Sequence, residues 1–158
     1  MNYPMTLAMR QLLTEKIDFT THLYPYEEKG GTAVSARELQ VDEHAVIKTL
    51  IMEDEQKHPF IILMHGDCQV STKELARRLK VKSINPCKPE VADRHSGYQV
   101  GGTSPFATRR KMPVYFEASM LVLEKVYVNG GKRGFLVGMN PQDIVRILQA
   151  EPVQVAIR

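Results

Sequence analysis

Cysteine is scarce in this sequence. Cys68 and Cys87 stand far apart with no CxxC spacing, which argues against a disulfide framework and leaves a zinc site short of ligands. Five histidines, His22, His44, His58, His65 and His95, occur singly, with no HxxxH or HExxH pair. They read as isolated surface or satisfied side chains, so neither a metal nor another cofactor is expected. The sequence also lacks a GxSxG elbow, a P-loop and a GxGxxG turn. Its carboxylates are dispersed and offer no evident acid–base pair.

Long apolar runs are missing too. None approaches the roughly 20 residues that span a bilayer, and the opening MNYPMTLAMRQLLTEK lacks the apolar core of a signal peptide. A cytoplasmic protein with no membrane partner is expected. An excess of one charge is likewise absent, with 21 Lys and Arg against 18 Asp and Glu and a net charge of +3. A duplex-DNA binder shows a denser basic stripe, so DNA is not an expected partner. Basic residues do gather at Arg77-Arg78-Leu79-Lys80-Val81-Lys82, Arg109-Arg110-Lys111 and Lys132-Arg133. These clusters suit an RNA backbone, and solvated charged faces explain them equally well.

What is present describes a globular chain. Its 158 residues are 43% hydrophobic and 25% charged, a balance that fits one domain over residues 1–158 burying roughly two-thirds of its unfolded surface. Apolar positions at Leu7, Met9, Leu12 and Leu13 predict a helix within residues 4–16, and Phe19 to Tyr24 alternates as a strand. Ser35 with Glu38 predicts a capping box opening a short helix, and Asp42 caps another that runs to about Ile47. Thr49 to Met52 and Pro59 to Met64 should pair as a hairpin. Ser71 with Glu74 opens a basic helix, and Pro86 to His95 reads as a further short helix. A strand at Val114 to Phe116 precedes a second hairpin, Lys125 to Val128 and Phe135 to Val137, around a glycine-rich turn. Asn140-Pro141 starts a helix, and Val153 to Ile157 closes the chain as one strand. Strands outnumber helices, so the expected fold is α/β (α+β), a single compact domain with a mixed, curled sheet and flanking helices.

Two features could carry chemistry. Lys48 interrupts the apolar run Ala45-Val46-Ile47 and Thr49-Leu50-Ile51. A lysine there needs a carboxylate, a cleft or an anionic ligand; on pattern alone it reads more readily as a strand-end lysine snorkelling to solvent. The loop Gly97 to Phe106 contains Gly101-Gly102-Thr103-Ser104-Pro105. Its backbone amides could cradle an anion or oxyanion, and a tight bend would also require its glycines.

Three ordered segments carry a resemblance: Val46 to Leu50, Arg94 to Pro105 and Val126 to Gly134, with Ile17 to Tyr24 ahead of them. Taken together, nearly the whole chain resembles the YbaK/EbsC family of Cys-tRNA(Pro) deacylases, related to prolyl-tRNA synthetase editing domains. The resemblance implies that family's α/β fold with a mixed, partly barrel-like sheet, and an enzyme that strips a mischarged amino acid from tRNA. It implies Lys48 as the central functional residue and Gly101 as its catalytic companion. It further implies an amino-acid pocket walled by Gly101 to Pro105 (Gly102, Thr103, Ser104 and Pro105 included) and shaped by Tyr24, Asn129 and Gly130. The partner would be the 3′ end of an aminoacyl-tRNA, with prolyl-tRNA synthetase as a further candidate. In the cysteine-specific branch the substrate's own thiol attacks the ester. This sequence departs from that branch at Leu136, where an aspartate stands, and at Asn129, where a serine stands.

Two functions follow. The first is an aminoacyl-tRNA deacylase acting in trans, on Cys-tRNA(Pro) or on a tRNA bearing another small amino acid such as alanine. The alternative is a non-catalytic module that binds aminoacyl-tRNA or a synthetase, since no side-chain nucleophile with an adjacent base is visible.

Overall fold

The computed structural model describes residues 2–158. Helix α1 (Leu7–Glu15) begins where the Thr6 hydroxyl accepts the Met9 amide and ends at Lys16, which closes the turn at positive φ. It buries Ala8, Met9 and Leu12. Strand β1 (Phe19–Leu23) follows. Helix α2 (Gly31–Leu39) corrects the expected capping box. It starts ahead of Ser35, because Gly31 turns the chain in at φ 61°. Ser35 is buried inside the helix and donates its hydroxyl to the Thr32 carbonyl. Asp42 does cap, accepting from the His44 amide, though the turn it opens is a short 3-10 segment, Glu43–Ala45.

Strands β2 (Ile47–Asp54) and β3 (Pro59–His65) pair antiparallel, with Lys48 opposite Met64. All of β3 is buried, and its side chains alternate between two cores. Ile61 and Leu63 join Met9, Phe106, Phe116 and Val137 on one face. Phe60, Ile62 and Met64 join Leu75 and Val153 on the other. After β3 come strand β4 (Gln69–Val70) and helix α3 (Thr72–Leu79), which the Ser71 hydroxyl caps as expected by accepting the Glu74 amide. The reciprocal half of the box is missing, because the Ser71 amide donates to the Val155 carbonyl and the Glu74 carboxylate pairs with Arg77. Strand β5 (Ile84–Pro86) ends where a helix from Pro86 to His95 was expected to begin, and helix α4 (Pro89–Ser96) covers the rest of that stretch. The Cys87 amide donates to Ile51, which ties this segment to the edge of β2.

Strand β6 (Val114–Glu117) lies parallel to β3. Strands β7 (Val126–Asn129) and β8 (Phe135–Met139) form the expected hairpin, and helix α5 (Pro141–Leu148) starts at the Asn140 cap. The chain then ends in two strands instead of one, β9 (Glu151–Val153) and β10 (Ala156–Ile157). The cause is the buried Glu117, whose carboxylate accepts the Val155 and Ala156 amides at 2.7 and 2.9 Å and bends the chain between them. The sheets run β5-β2-β3-β6-β9, β1-β8-β7 and β10-β4. The fold is thus mixed α/β, with parallel pairing at its centre. The two larger sheets meet at a parallel bridge between Val46 and Tyr127 and curl toward each other without closing a barrel.

Candidate functional site

Where those sheets curl together, a cavity of about 780 Å³ opens against the first half of β2. Tyr24, Lys48, Gly101, Thr103 and Asn129, distant in sequence, all line it. Gly102, Ser104, Pro105 and Gly130 do not. Ser104 is fully buried and its hydroxyl accepts the Phe106 amide, so it braces the loop from behind. The Gly130 amide is spent on the Phe135 carbonyl in the β7–β8 turn.

Lys48 is half-buried on β2. Burial holds its ammonium below the ordinary 10.5, while Cys68, Glu43 and Asp67 pull it back up. Asp67 is already engaged by His44 at 2.8 Å and by Arg158 at 3.4 Å, and no ion pair among the described residues ties Lys48 to it. The lysine therefore presents a partly desolvated, unpaired cation to the cavity. Tyr24 lines the same cavity, pinned by its amide to the Gly134 carbonyl at 2.9 Å. Burial raises its phenol above 10.0, with the Ser35 hydroxyl opposing that shift.

The glycine loop interlocks with the β7–β8 turn. Gly101 has φ 91°, and a Cβ there would strike the ring and hydroxyl of Tyr26. A Cβ on Gly102 would lie 2.6 Å from the Arg133 amide. Asn129 accepts the Gly131 and Lys132 amides and donates to the Gly101 carbonyl at 3.3 Å. The Gly102 amide is used within the loop, donating to Gln99 at 2.8 Å. That leaves Gly101 as the free donor of the pair: it is exposed, and its amide has no acceptor among the described residues.

Neither thiol is activated. Burial and the Glu53 carboxylate push Cys87 up to about 12. Burial and Asp67 raise Cys68 as well. Folding does bring a histidine to Cys68, which the local sequence does not reveal: His44, Asp67 and Cys68 gather their donor atoms within 4.8 Å. Among the described residues this is the cluster with metal-ligand chemistry. Lys48 and Arg158 beside it oppose a divalent ion.

A family model described as the aminoacyl-tRNA editing domain matches residues 27–147, a span containing Lys48, the glycine loop and the β7–β8 turn. The chain belongs to that family. This editing domain is an aminoacyl-tRNA deacylase, and its substrate is an aminoacyl-tRNA. It is 22% identical over 97% of its length, and 94% of the relative's, to EbsC of Enterococcus faecalis, provisionally named a Cys-tRNA(Pro)/Cys-tRNA(Cys) deacylase. Its fold matches hypothetical protein APE2540 with a TM-score of 0.87 at 20% identity, covering 96% of this chain and 100% of that one. It also matches a protein provisionally described as a trans-editing enzyme for prolyl-tRNA synthetase, with a TM-score of 0.82 at 16% identity over 98% and 100% of the two chains. No helix among the described residues of the editing domain is long and apolar enough to cross a membrane.

Tyr26, Arg133 and Ser35 also line the cavity, and the sequence alone does not name them among the site residues. Tyr26 repeats Tyr24 two positions on, a period-2 signal that could have revealed it. Arg133 stood out only as part of a basic cluster, and Ser35 was read as a cap.

Proposed function

We propose that this deacylase removes cysteine from mischarged Cys-tRNA(Pro) in trans, residues 1–158 acting as one editing domain. The observation that carries this reading is a cavity with an unpaired ammonium and a free backbone amide beside two thiols that stay protonated at neutral pH. Such a site has no activated thiol of its own among the described residues, and a cysteinyl ester brings a thiol with it. The substrate thiol attacks its own carbonyl carbon, a C–S bond forms, and the ester C–O bond breaks. The thiol proton ends on the departing ribose hydroxyl, and a small thiolactone leaves. Lys48 holds the terminal phosphate or ribose, and the Gly101 amide faces the carbonyl oxygen as charge develops there. One such donor contributes about 3 kcal/mol, and holding the thiol near the carbonyl removes the entropy of a bimolecular encounter.

The test compares Cys-tRNA(Pro) with the same tRNA carrying 2-aminobutyrate, which lacks the sulfur. The cysteinyl ester should be cleaved and the sulfur-free ester should barely react, also in a Cys68→Ser, Cys87→Ser double variant. Equal cleavage of both esters, or a dead double variant, removes the thiol-assisted mechanism.

One observation favours a second reading. Leu136 is buried against Val46 and Ala36, giving the cavity an apolar wall. A small apolar amino acid such as alanine, cleaved by water, fits that wall, and faster loss of Ala-tRNA(Pro) than of Cys-tRNA(Pro) would decide for it. In either case prolyl-tRNA synthetase is a candidate partner for tRNA choice, and adding it should then accelerate cleavage.

A further inference from the structure

Arg133 sits exposed in the β7–β8 turn and forms no ion pair among the described residues, yet its contacts are specific. Its Nε–H donates to the Val100 carbonyl at 3.0 Å. Its guanidinium lies over the Tyr26 ring, 5.2 Å from the centroid. Tyr26 in turn packs against Gly101. The Val100–Gly101 peptide is trans and planar, so its C=O and N–H point in opposite directions. Whatever holds the Val100 carbonyl therefore also aims the Gly101 amide. From the other side, Asn129 holds the Gly101 carbonyl.

We infer that Arg133 is a positioning residue for deacylation: by gripping the Val100 carbonyl while stacked on Tyr26, it keeps the Gly101 N–H turned toward the bound ester. Glycine at φ 91° has no side chain to hold the peptide in place, and in its free state this peptide could rotate. The planar guanidinium supplies the missing restraint, because it can stack and donate in one fixed geometry. This inference rests on the reading of Gly101 as donor to the ester carbonyl. A direct role, with the cation contacting a tRNA phosphate, is the competing use of the same side chain, and the two differ in kinetics.

The experiment uses the aminoacyl-tRNA(Pro) that the wild-type protein cleaves fastest among cysteinyl, alanyl and 2-aminobutyryl esters. Arg133→Met should lower kcat by about 10- to 100-fold, short of the roughly 100- to 1,000-fold cost of removing an oxyanion donor outright because the amide is misaimed and not lost, with KM little changed. Arg133→Lys should not rescue it, since a lysine keeps the charge and loses the planar fork. In ¹⁵N–¹H spectra without substrate, the Gly101 amide peak should shift in both variants while circular dichroism melts stay unchanged. Recovery of kcat in Arg133→Lys, or a raised KM at constant kcat in Arg133→Met, overturns the inference in favour of a phosphate contact. A fully active Gly101→Ala protein defeats the donor reading beneath it. A crippled Gly101→Ala beside an unaffected Arg133→Met defeats the Arg133 inference alone.

Discussion

Lys48 and Gly101 are separated by about a third of the chain, and the two make distinct predictions. The Lys48 ammonium is partly desolvated and unpaired, so folding gains little from its charge. Lys48→Met keeps the apolar stem and removes the cation. Deacylation should fall by about 100-fold or more, while the thermal midpoint stays level or rises slightly. Near-normal turnover would return Lys48 to the role of a snorkelling strand residue. For Gly101, the matched comparison is Gly31, which also has positive φ. Gly31 has φ 61° with open space around it, whereas a side chain at Gly101 meets Tyr26. Alanine at either position should lower stability by about 1 kcal/mol through positive φ. Only Gly101→Ala should also lower kcat, because Tyr26 must move and the amide with it. Equal turnover in both would make the loop a turn and nothing more.

At the scale of elements, the β6 end and the C-terminal strands depend on one buried carboxylate. Glu117 accepts the Val155 and Ala156 amides, and neither has another acceptor among the described residues. Glu117→Ala leaves both unsatisfied, and at about 1–3 kcal/mol for each stranded group the loss is large. Denaturant unfolding should show that loss, with Glu117→Gln milder because its amide oxygen still accepts. A loss below about 0.5 kcal/mol, the size of an ordinary surface change, would mean water replaces the carboxylate. This contact also shows where sequence reading stops. The two hairpins, the Ser71 and Asn140 caps and the apolar face of α1 are local patterns, so they were legible. The split of Val153 to Ile157 is imposed by Glu117 from far along the chain, and the parallel pairing of β6 leaves no mark on its own residues. Ser35 with Glu38 has the spacing of a capping box, but Gly31 lets the helix begin earlier and overrides it. The site behaves the same way. The glycine loop and the lysine were visible, while the Tyr26–Arg133–Val100 contact exists only after two distant turns meet.

Across the whole molecule, buried titratable groups bound the pH range of stability from both sides. His65 is fully buried, hydrogen-bonded through Nδ1 to the His44 carbonyl and through Nε2 to Ser119, both at 2.7 Å. His44 stacks on it with ring centroids 3.7 Å apart. Burial first, and the neighbouring His44 as well, lower its pKa below the ordinary 6.5, against the pull of the His44 carbonyl. The unfolded chain therefore binds this proton more readily, and stability falls as pH drops below about 6.5. On the alkaline side the signs reverse. Cys87 is raised from 9.0 to about 12, so the folded chain keeps a proton that the unfolded chain releases. Its contribution is complete below 9.0 and is lost as pH climbs toward 12. Urea midpoints should thus be highest between roughly pH 7 and 9 and decline on both flanks. His65→Gln isolates the acid arm, because glutamine can hydrogen-bond within the same pocket and cannot titrate. At pH 8 the wild type should be the more stable, and its advantage should shrink steadily as pH falls from 6.5 to 5. An advantage that stays constant over that interval would show that His65 is not the group whose protonation unlocks the fold, and the acid limit would then pass to the paired carboxylates Asp54 and Asp67, both held below 3.8.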